Sequence, residues 1–332
     1  MVLYYQNLIP GTKCDGGIMN FKPLKIGNLE ARLPIIQGGM AVKISTAPLA
    51  AAVANEGGIG VIAGTGMTLE ELAIEIRKAR ELTTGIIGVN ILFAVNNFAD
   101  LVKTAIKEGI DLVISGAGFS RDMFAWGKES NTPIVPIVSS AKLAIMAEKL
   151  GAAAVIVEGV EAGGHLGTNR SMRDILPEVR AAVKLPVIGA GGVIDGKDIA
   201  EILRLGADGV QMGTRFAASE ESNASDEIKA LYLKAEASDV TFMKSPVGLP
   251  GQAIRNAFLD KAESGQAAID SCVSCLKRCS RDFCIVDALE NAKRGGDFSK
   301  ALAFSGCNVY RIKEVLPVKE IIKRILKDLE EA

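Results

Sequence analysis

Eight short apolar runs at regular spacing constrain this chain more than any other feature. They are residues 34–37, 59–63, 85–90, 111–115, 134–138, 153–157, 186–188 and 209–212. Each is apolar throughout instead of alternating, as expected of strands covered on both faces in a parallel sheet. Helix-like segments fill the intervals. One has Pro48 near its start and Gly57 at its end, and another opens at Thr68, a residue able to cap it. A repeat of about 25 residues, eight times over, predicts an α/β fold of the closed (β/α)8 TIM-barrel type in preference to an open doubly wound sheet. Nearly every run ends in glycine or a small polar residue, on the face where such barrels build active sites.

The rhythm divides the chain into three parts. Residues 1–33 are a lead-in that contains Cys14 and the amphipathic piece FKPLKIGNLEARL, residues 34–217 are the barrel, and residues 218–332 are a mostly helical appendage that could cover the barrel mouth. In that last part SPVGLPG, at 245–251, reads as a loop. With 38 basic and 39 acidic residues evenly spread, nothing marks a nucleic-acid or membrane surface as the main partner. The start lacks the features of a signal peptide, and no apolar run reaches the roughly 18 residues that cross a bilayer. A cytoplasmic protein with reduced cysteines and a small-molecule substrate is expected. Barrels often pair, so a homodimer is compatible with the sequence, although no interface signature stands out.

The chemistry centres on VEGVEAGGHLG, residues 157–167, which holds the only histidine of the chain, His165. An imidazole titrates near neutral pH, and glycines beside it let backbone approach a ligand closely. Two further pieces suit a phosphate: Gly189 to Gly192 after the seventh strand, and Gly213-Thr214 after the eighth. Barrels frequently hold a phosphate between these two loops with backbone N–H groups and a helix N-terminus. A phosphate-bearing cofactor is expected, with flavin mononucleotide (FMN) the obvious candidate. Lys142, Ser139, Ser140, Asp195, Asp208 and Trp126 read more simply as solvated, capping, turn or packing residues.

In order along the chain, PIIQGGMA, GVNI, EAGGHLG, PVIGAGGVIDG and VQMGTRF resemble the family of nitronate monooxygenases (2-nitropropane dioxygenases) and type II enoyl-acyl-carrier-protein reductases. These are FMN-dependent TIM-barrel flavoenzymes, and the resemblance spans roughly residues 20–258. It implies flavin contacts from Gly38, Gly39, Met40, Asn90, Glu158, Gly163 and Gly164. It also implies phosphate contacts from Gly191, Gly192, Gln211, Met212, Gly213 and Thr214, and it makes His165 the catalytic residue. Glu158 stands where many of the monooxygenases have glutamine, which is closer to the reductases. MAVKIST and GTGMT, however, lack the tryptophan and asparagine of the reductase motifs. Nitronate oxidation with O2 is the first expectation, with His165 as base or hydrogen-bond partner. NAD(P)H-dependent enoyl-thioester reduction is the alternative, and only there would an acyl carrier protein be a partner. A flavin- or metal-binding module without turnover is a third. On the same basis, Gly192→Asp is expected to expel FMN.

Cys272, Cys275, Cys279 and Cys284 form a C-x2-C-x3-C-x4-C pattern that the resemblance does not account for. Four thiols in thirteen residues suit an iron–sulfur cluster or zinc. Spacings of three and four also place the first three on one face of a helix, as ordinary buried small residues.

Overall fold

The computed structural model describes residues 22–332 other than 268, 270, 271, 296 and 298. Most of the lead-in, with Cys14, lies outside the described residues. Its last part is a hairpin of β1 (Leu24–Ile26) and β2 (Leu29–Ala31). The barrel strands are β3 (Ile35–Gln37), β4 (Gly60–Ala63), β5 (Ile87–Leu92), β6 (Leu112–Gly116), β7 (Ile134–Val138) and β8 (Val155–Glu158). After the two-residue β9 (Gly164–His165) come the last two, β10 (Val187–Ala190) and β11 (Gly209–Met212). All eight expected runs are strands, paired in parallel in the order β3-β11-β10-β8-β7-β6-β5-β4. A parallel bridge between Ile36 and Ile59 joins the two ends, so the sheet closes into a (β/α)8 barrel.

Side chains alternate across a strand, and here both faces are dry. Ile36, Leu112, Ile114, Val135, Ile156 and Ile188 point into the barrel, where Leu24 and Ile26 of the hairpin join them in one cluster. Their neighbours Ile35, Val113, Val155, Val187 and Val210 pack outward against the helices. That double burial explains why the runs carry no polar alternation. Extending the inward set by two residues reaches Asn90, Gly116, Ile137, Glu158, Ala190 and Gln211 at the C-terminal ends. There the apolar filling stops and a cavity begins, lined by all six.

The helices start where the sequence says they should. Thr68 closes a capping box on the helix Leu69–Leu82, Ser140 caps Ala141–Leu150, and Asp195 caps Gly196–Arg204. Asp208 accepts from the Val187 N–H and pairs with Arg180, a turn role. Among the described residues no helix is long and apolar enough to cross a membrane.

Residues 218–332 differ from expectation. Their helices are Asp226–Lys234, Ala257–Glu263, Ile285–Arg294 and Val318–Glu330. Between them, β12 (Val240–Lys244) and β13 (Pro250–Ile254) form an antiparallel hairpin to which β9 adds as a third strand. VTFMK is rich in strand-forming residues, so its signal was present in the sequence. The cysteine segment is not a helix: residues 272–284 are irregular apart from a bridge at Leu276, and the next helix begins at Ile285.

Candidate active site

The cavity at the C-terminal ends of the strands has a volume of about 650 Å³. Gly38, Gly39, Met40, Asn90, Glu158, Gly163, Gly164, His165, Gly191, Gly192, Gln211, Gly213 and Thr214 all line it. Met212 does not. Its side chain is buried in the outer core, and it contributes a carbonyl that accepts the Gly38 N–H at 2.8 Å. Ser139 and Lys142 are not among the lining residues either, and Trp126 packs on the outer core with the Lys103 ammonium over its ring.

His165 is held by the small sheet. Gly251 of β13 pairs with it, and its Nε2 lies 2.7 Å from the hydroxyl of Ser245, on the loop that joins β12 to β13. The Ser245 Oγ also accepts the Val247 N–H at 3.3 Å. The ring of Phe304 stands edge-on to the imidazole, with centroids 5.2 Å apart. One ring nitrogen is thus committed to serine, and Nδ1 has no partner among the described residues. Burial lowers the imidazole from its ordinary 6.5 to about 4, so it is neutral across the physiological range. Burial acts oppositely on Glu158, raising its carboxyl to about 8. His165 and Glu158, the histidine and the carboxyl of the cavity wall, are therefore uncharged at neutral pH.

The loops after β10 and β11 fit a phosphate. Among the described residues the N–H groups of Gly191, Gly192, Gly213 and Thr214 find no protein acceptor. Thr214 and its neighbours open a short helix, Thr214–Ala217, whose N-terminus faces the same space. Gln211 supplies a second test of fit: among the described residues its buried Oε1 has no hydrogen-bond partner, an arrangement that is costly unless a ligand donor meets it. These groups suit FMN, with the four N–H groups at the phosphate end and Asn90, Glu158 and Gln211 further in.

Residues far along the chain complete the wall, and sequence reasoning missed them. The Gly306 N–H donates to the Thr214 Oγ1 at 3.0 Å, and the Asn308 amide donates to the Gly192 carbonyl at 2.7 Å. Arg311 anchors this segment by pairing with Asp195 at 2.5 Å and Asp198 at 2.9 Å. Gly163 is needed for this cover as much as for any ligand, because a Cβ there would sit 2.5 Å from the backbone of Ser305. Gly192 is constrained twice over: its φ is +70°, and a Cβ would lie 3.0 Å from the Asn308 amide. Any side chain at 192 strains the loop, so flavin loss in Gly192→Asp could not be assigned to its charge.

The cysteine segment borders the same cavity, with Cys275 in its wall. Among the described residues no three histidine, cysteine or acidic side chains stand in a metal-binding arrangement.

The sequence pattern of the nitronate monooxygenase family matches residues 22–328. A (3aS,4S,5R,7aS)-5-hydroxy-7a-methyl-1-oxo-octahydro-1H-indene-4-carboxyl-CoA dehydrogenase of Mycobacterium tuberculosis (strain ATCC 25618 / H37Rv) is 37% identical over 238 residues. The match covers 71% of this chain but 66% of that one, just under two thirds. A probable nitronate monooxygenase of Staphylococcus aureus (strain MSSA476) is 29% identical over 278 residues, covering 70% of this chain and 78% of that one. The solved structure of FabK from Thermotoga maritima superposes with a TM-score of 0.81 at 35% identity, over 91% of this chain and 94% of that one. On the family match, which takes in the barrel, the histidine loop and the cover, this chain belongs to the nitronate monooxygenase family.

Proposed function

We propose that this chain is an FMN-dependent oxidoreductase that oxidises alkyl nitronates with O2. One observation carries the flavin assignment: four unpartnered N–H groups at the β10 and β11 ends share a cavity with the only histidine and with the orphaned Gln211 oxygen. FMN, when bound, supplies the electron transfer; the chain supplies binding, orientation and hydrogen bonds. A histidine that titrates near 4 is a weak base at neutral pH and a good neutral donor. Its role is accordingly to hydrogen-bond a nitronate oxygen through the nitrogen that Ser245 leaves free. Glu158, protonated below about 8, offers a second neutral donor to the cavity.

The Glu158 carboxyl also makes a prediction about stability. Its folded value lies above the ordinary 4.5, so the stability it contributes is complete below 4.5 and lost as pH rises to about 8. In flavin-free protein, Glu158→Gln is expected to raise Tm relative to wild type by an increment that grows across this window and then levels off. An increment independent of pH in thermal melts would show that the carboxyl is not held neutral.

A specific observation favours a second substrate class. Among the described residues no lysine or arginine lines the cavity, so that wall offers hydrogen bonds but no cation to an anionic substrate. The same donors suit the neutral carbonyl of an enoyl thioester, reduced with NAD(P)H and presented on coenzyme A or an acyl carrier protein. The similarity to FabK and to a carboxyl-CoA dehydrogenase supports this reading too. Anaerobic mixing of the yellow protein with an alkyl nitronate, NADH or NADPH separates the two. Bleaching by the nitronate alone supports the oxidase reading, and rapid bleaching by a nicotinamide moves the assignment to thioester reduction. Bound flavin that none of them reduces would reject both and leave a binding module. A cytoplasmic location belongs to this proposal.

A further inference from the structure

The helix Ile285–Arg294 supplies cavity wall through Ile285, Val286, Leu289 and Ala292. The chain is pinned on either side of it. Before it, the Asn96 amide donates to the carbonyls of Ser274 and Leu276, and Phe283 is buried against Phe258 with ring centroids 5.3 Å apart. After it, the Ile254 N–H donates to the Ala303 carbonyl at 2.9 Å, and the Tyr232 hydroxyl donates to the Phe304 carbonyl at 3.0 Å. The helix is tied within the appendage as well: its Ala288 carbonyl accepts the Leu302 N–H and its Ala292 carbonyl accepts the Ser225 hydroxyl. To the barrel, among the described residues, it makes one polar contact. The Glu290 carboxylate lies 3.6 Å from the Lys43 ammonium.

Lys43 stands on the loop after β3, between Val42 and Ile44, which both line the cavity while Lys43 does not. Its φ of +58° is a left-handed conformation that a residue with a side chain keeps only where its surroundings hold it. Here they do: the Asn223 amide donates to the Lys43 carbonyl at 2.8 Å, and the Asn223 N–H donates to the Ile44 carbonyl at 3.0 Å. The ammonium also pairs with Glu71 at 2.8 Å, and the second oxygen of Glu71 accepts the N–H of Thr68, an exposed residue of the cavity wall. One cation thus joins the first turn of the helix Leu69–Leu82 to the helix Ile285–Arg294. Burial opposes the charge on Lys43, but Glu71 and Glu290 outweigh it and hold the ammonium above its ordinary 10.5. The Lys43 and Glu290 side chains are 20% and 14% exposed, so solvent screens them less than an open surface pair. The other ionic link between appendage and barrel is of a different kind. Arg311 grips both Asp195 and Asp198 with a planar fork, whereas Lys43 is a point charge on a flexible stem, shared between two carboxylates. The appendage is therefore fastened firmly on the phosphate side and lightly at this helix.

We propose that the helix Ile285–Arg294 is a lid on the cavity and that Lys43 is its latch. Breaking the Lys43–Glu290 contact frees the helix from the loop after β3 and opens a path for the ligand. The proposal rests on the reading of this cavity as a flavin site. Moving lids are drawn from elements with few ties to the body they cover, and this helix has one polar tie. A weak contact suits the task, because a latch must break at each passage.

The test is amide hydrogen exchange of the full chain, read over residues 285–294 in flavin-loaded and flavin-free protein. Lys43→Met keeps the apolar stem and removes the charge. It should speed exchange in this helix by about two- to fivefold, the scale of one modestly screened ion pair, and leave the helix Val318–Glu330 unchanged. In a Glu290→Gln background the same substitution should have little further effect, since the contact is already gone. FMN release, followed as recovered flavin fluorescence on dilution, should speed by a similar factor. Unchanged exchange in Lys43→Met, equal speeding with and without Glu290, or faster exchange with FMN release unchanged overturns the proposal. A chain that never binds FMN would sink the flavin reading, and exchange in the flavin-free protein would still decide the latch.

Discussion

His165→Ala is expected to keep its flavin and lose about 10- to 100-fold in kcat/KM with an alkyl nitronate, the scale of one hydrogen bond to a charged oxygen. The nitronate carries its charge before oxidation and gives it up to the flavin, so the loss should fall mainly on KM; with an enoyl thioester, whose carbonyl oxygen gains charge as hydride arrives, it should fall on kcat. Retention of flavin is expected from the site's layout: the N–H groups suited to a phosphate lie on the loops after β10 and β11, not on the histidine loop. Ser245→Ala should cost less, since it frees Nε2 without removing the imidazole. The pH profile adds a sharper check. An ordinary histidine would bend kcat/KM near 6.5, whereas His165, neutral down to about 4, should leave the profile flat there. The alkaline limb should fall near 8, where Glu158 ionises, and Glu158→Gln should remove it. Unchanged turnover in the alanine variant would mean that the histidine only packs against Phe304.

Much of this could be read in the sequence, because a barrel repeats one local rule eight times. Strand identity and the inward set came from short apolar runs, and alternation alone carries Ile156 to Glu158 and Gly88 to Asn90 at the cavity floor. The sequence concealed the contacts that join distant segments. Ser245 lies 80 residues from His165, and Leu276 lies 180 from Asn96; no local pattern pairs such positions. The strand β12 was missed although VTFMK favours a strand, because charged residues on either side suggested an exposed helix. The cysteine spacing misled in another way. Intervals of three and four fit a helix, but Asn96 offers the Ser274, Cys275 and Leu276 carbonyls partners from outside the segment, so they need no helical ones. The cover formed by Phe304, Gly306 and Asn308 gave no advance signal, since its value lies in backbone contacts to Gly163 and Gly192.

Gly213→Asp is expected to yield folded protein without flavin. The position separates charge from strain in a way that Gly192 cannot. Gly213 has a φ of −101°, which any residue adopts, and the nearest neighbour of an added Cβ is Met40 at 4.0 Å. An aspartate there fits the backbone and enters the cavity beside the unpartnered N–H groups of Gly191, Gly192, Gly213 and Thr214. Two like charges ~4 Å apart in surroundings of intermediate polarity repel by about 4 kcal/mol, close to three powers of ten in affinity. The carboxylate could also accept the N–H groups itself, which would compound the loss. Gly213→Asn, of the same shape without the charge, should retain clearly more flavin, and its melting temperature without flavin should match that of the aspartate variant. Absorbance of the purified proteins reports flavin content, and melting of flavin-free samples reports folding. An aspartate variant as yellow as wild type would remove the phosphate from the loops after β10 and β11. Equal loss in both variants would instead make space, not charge, the property that Gly213 protects.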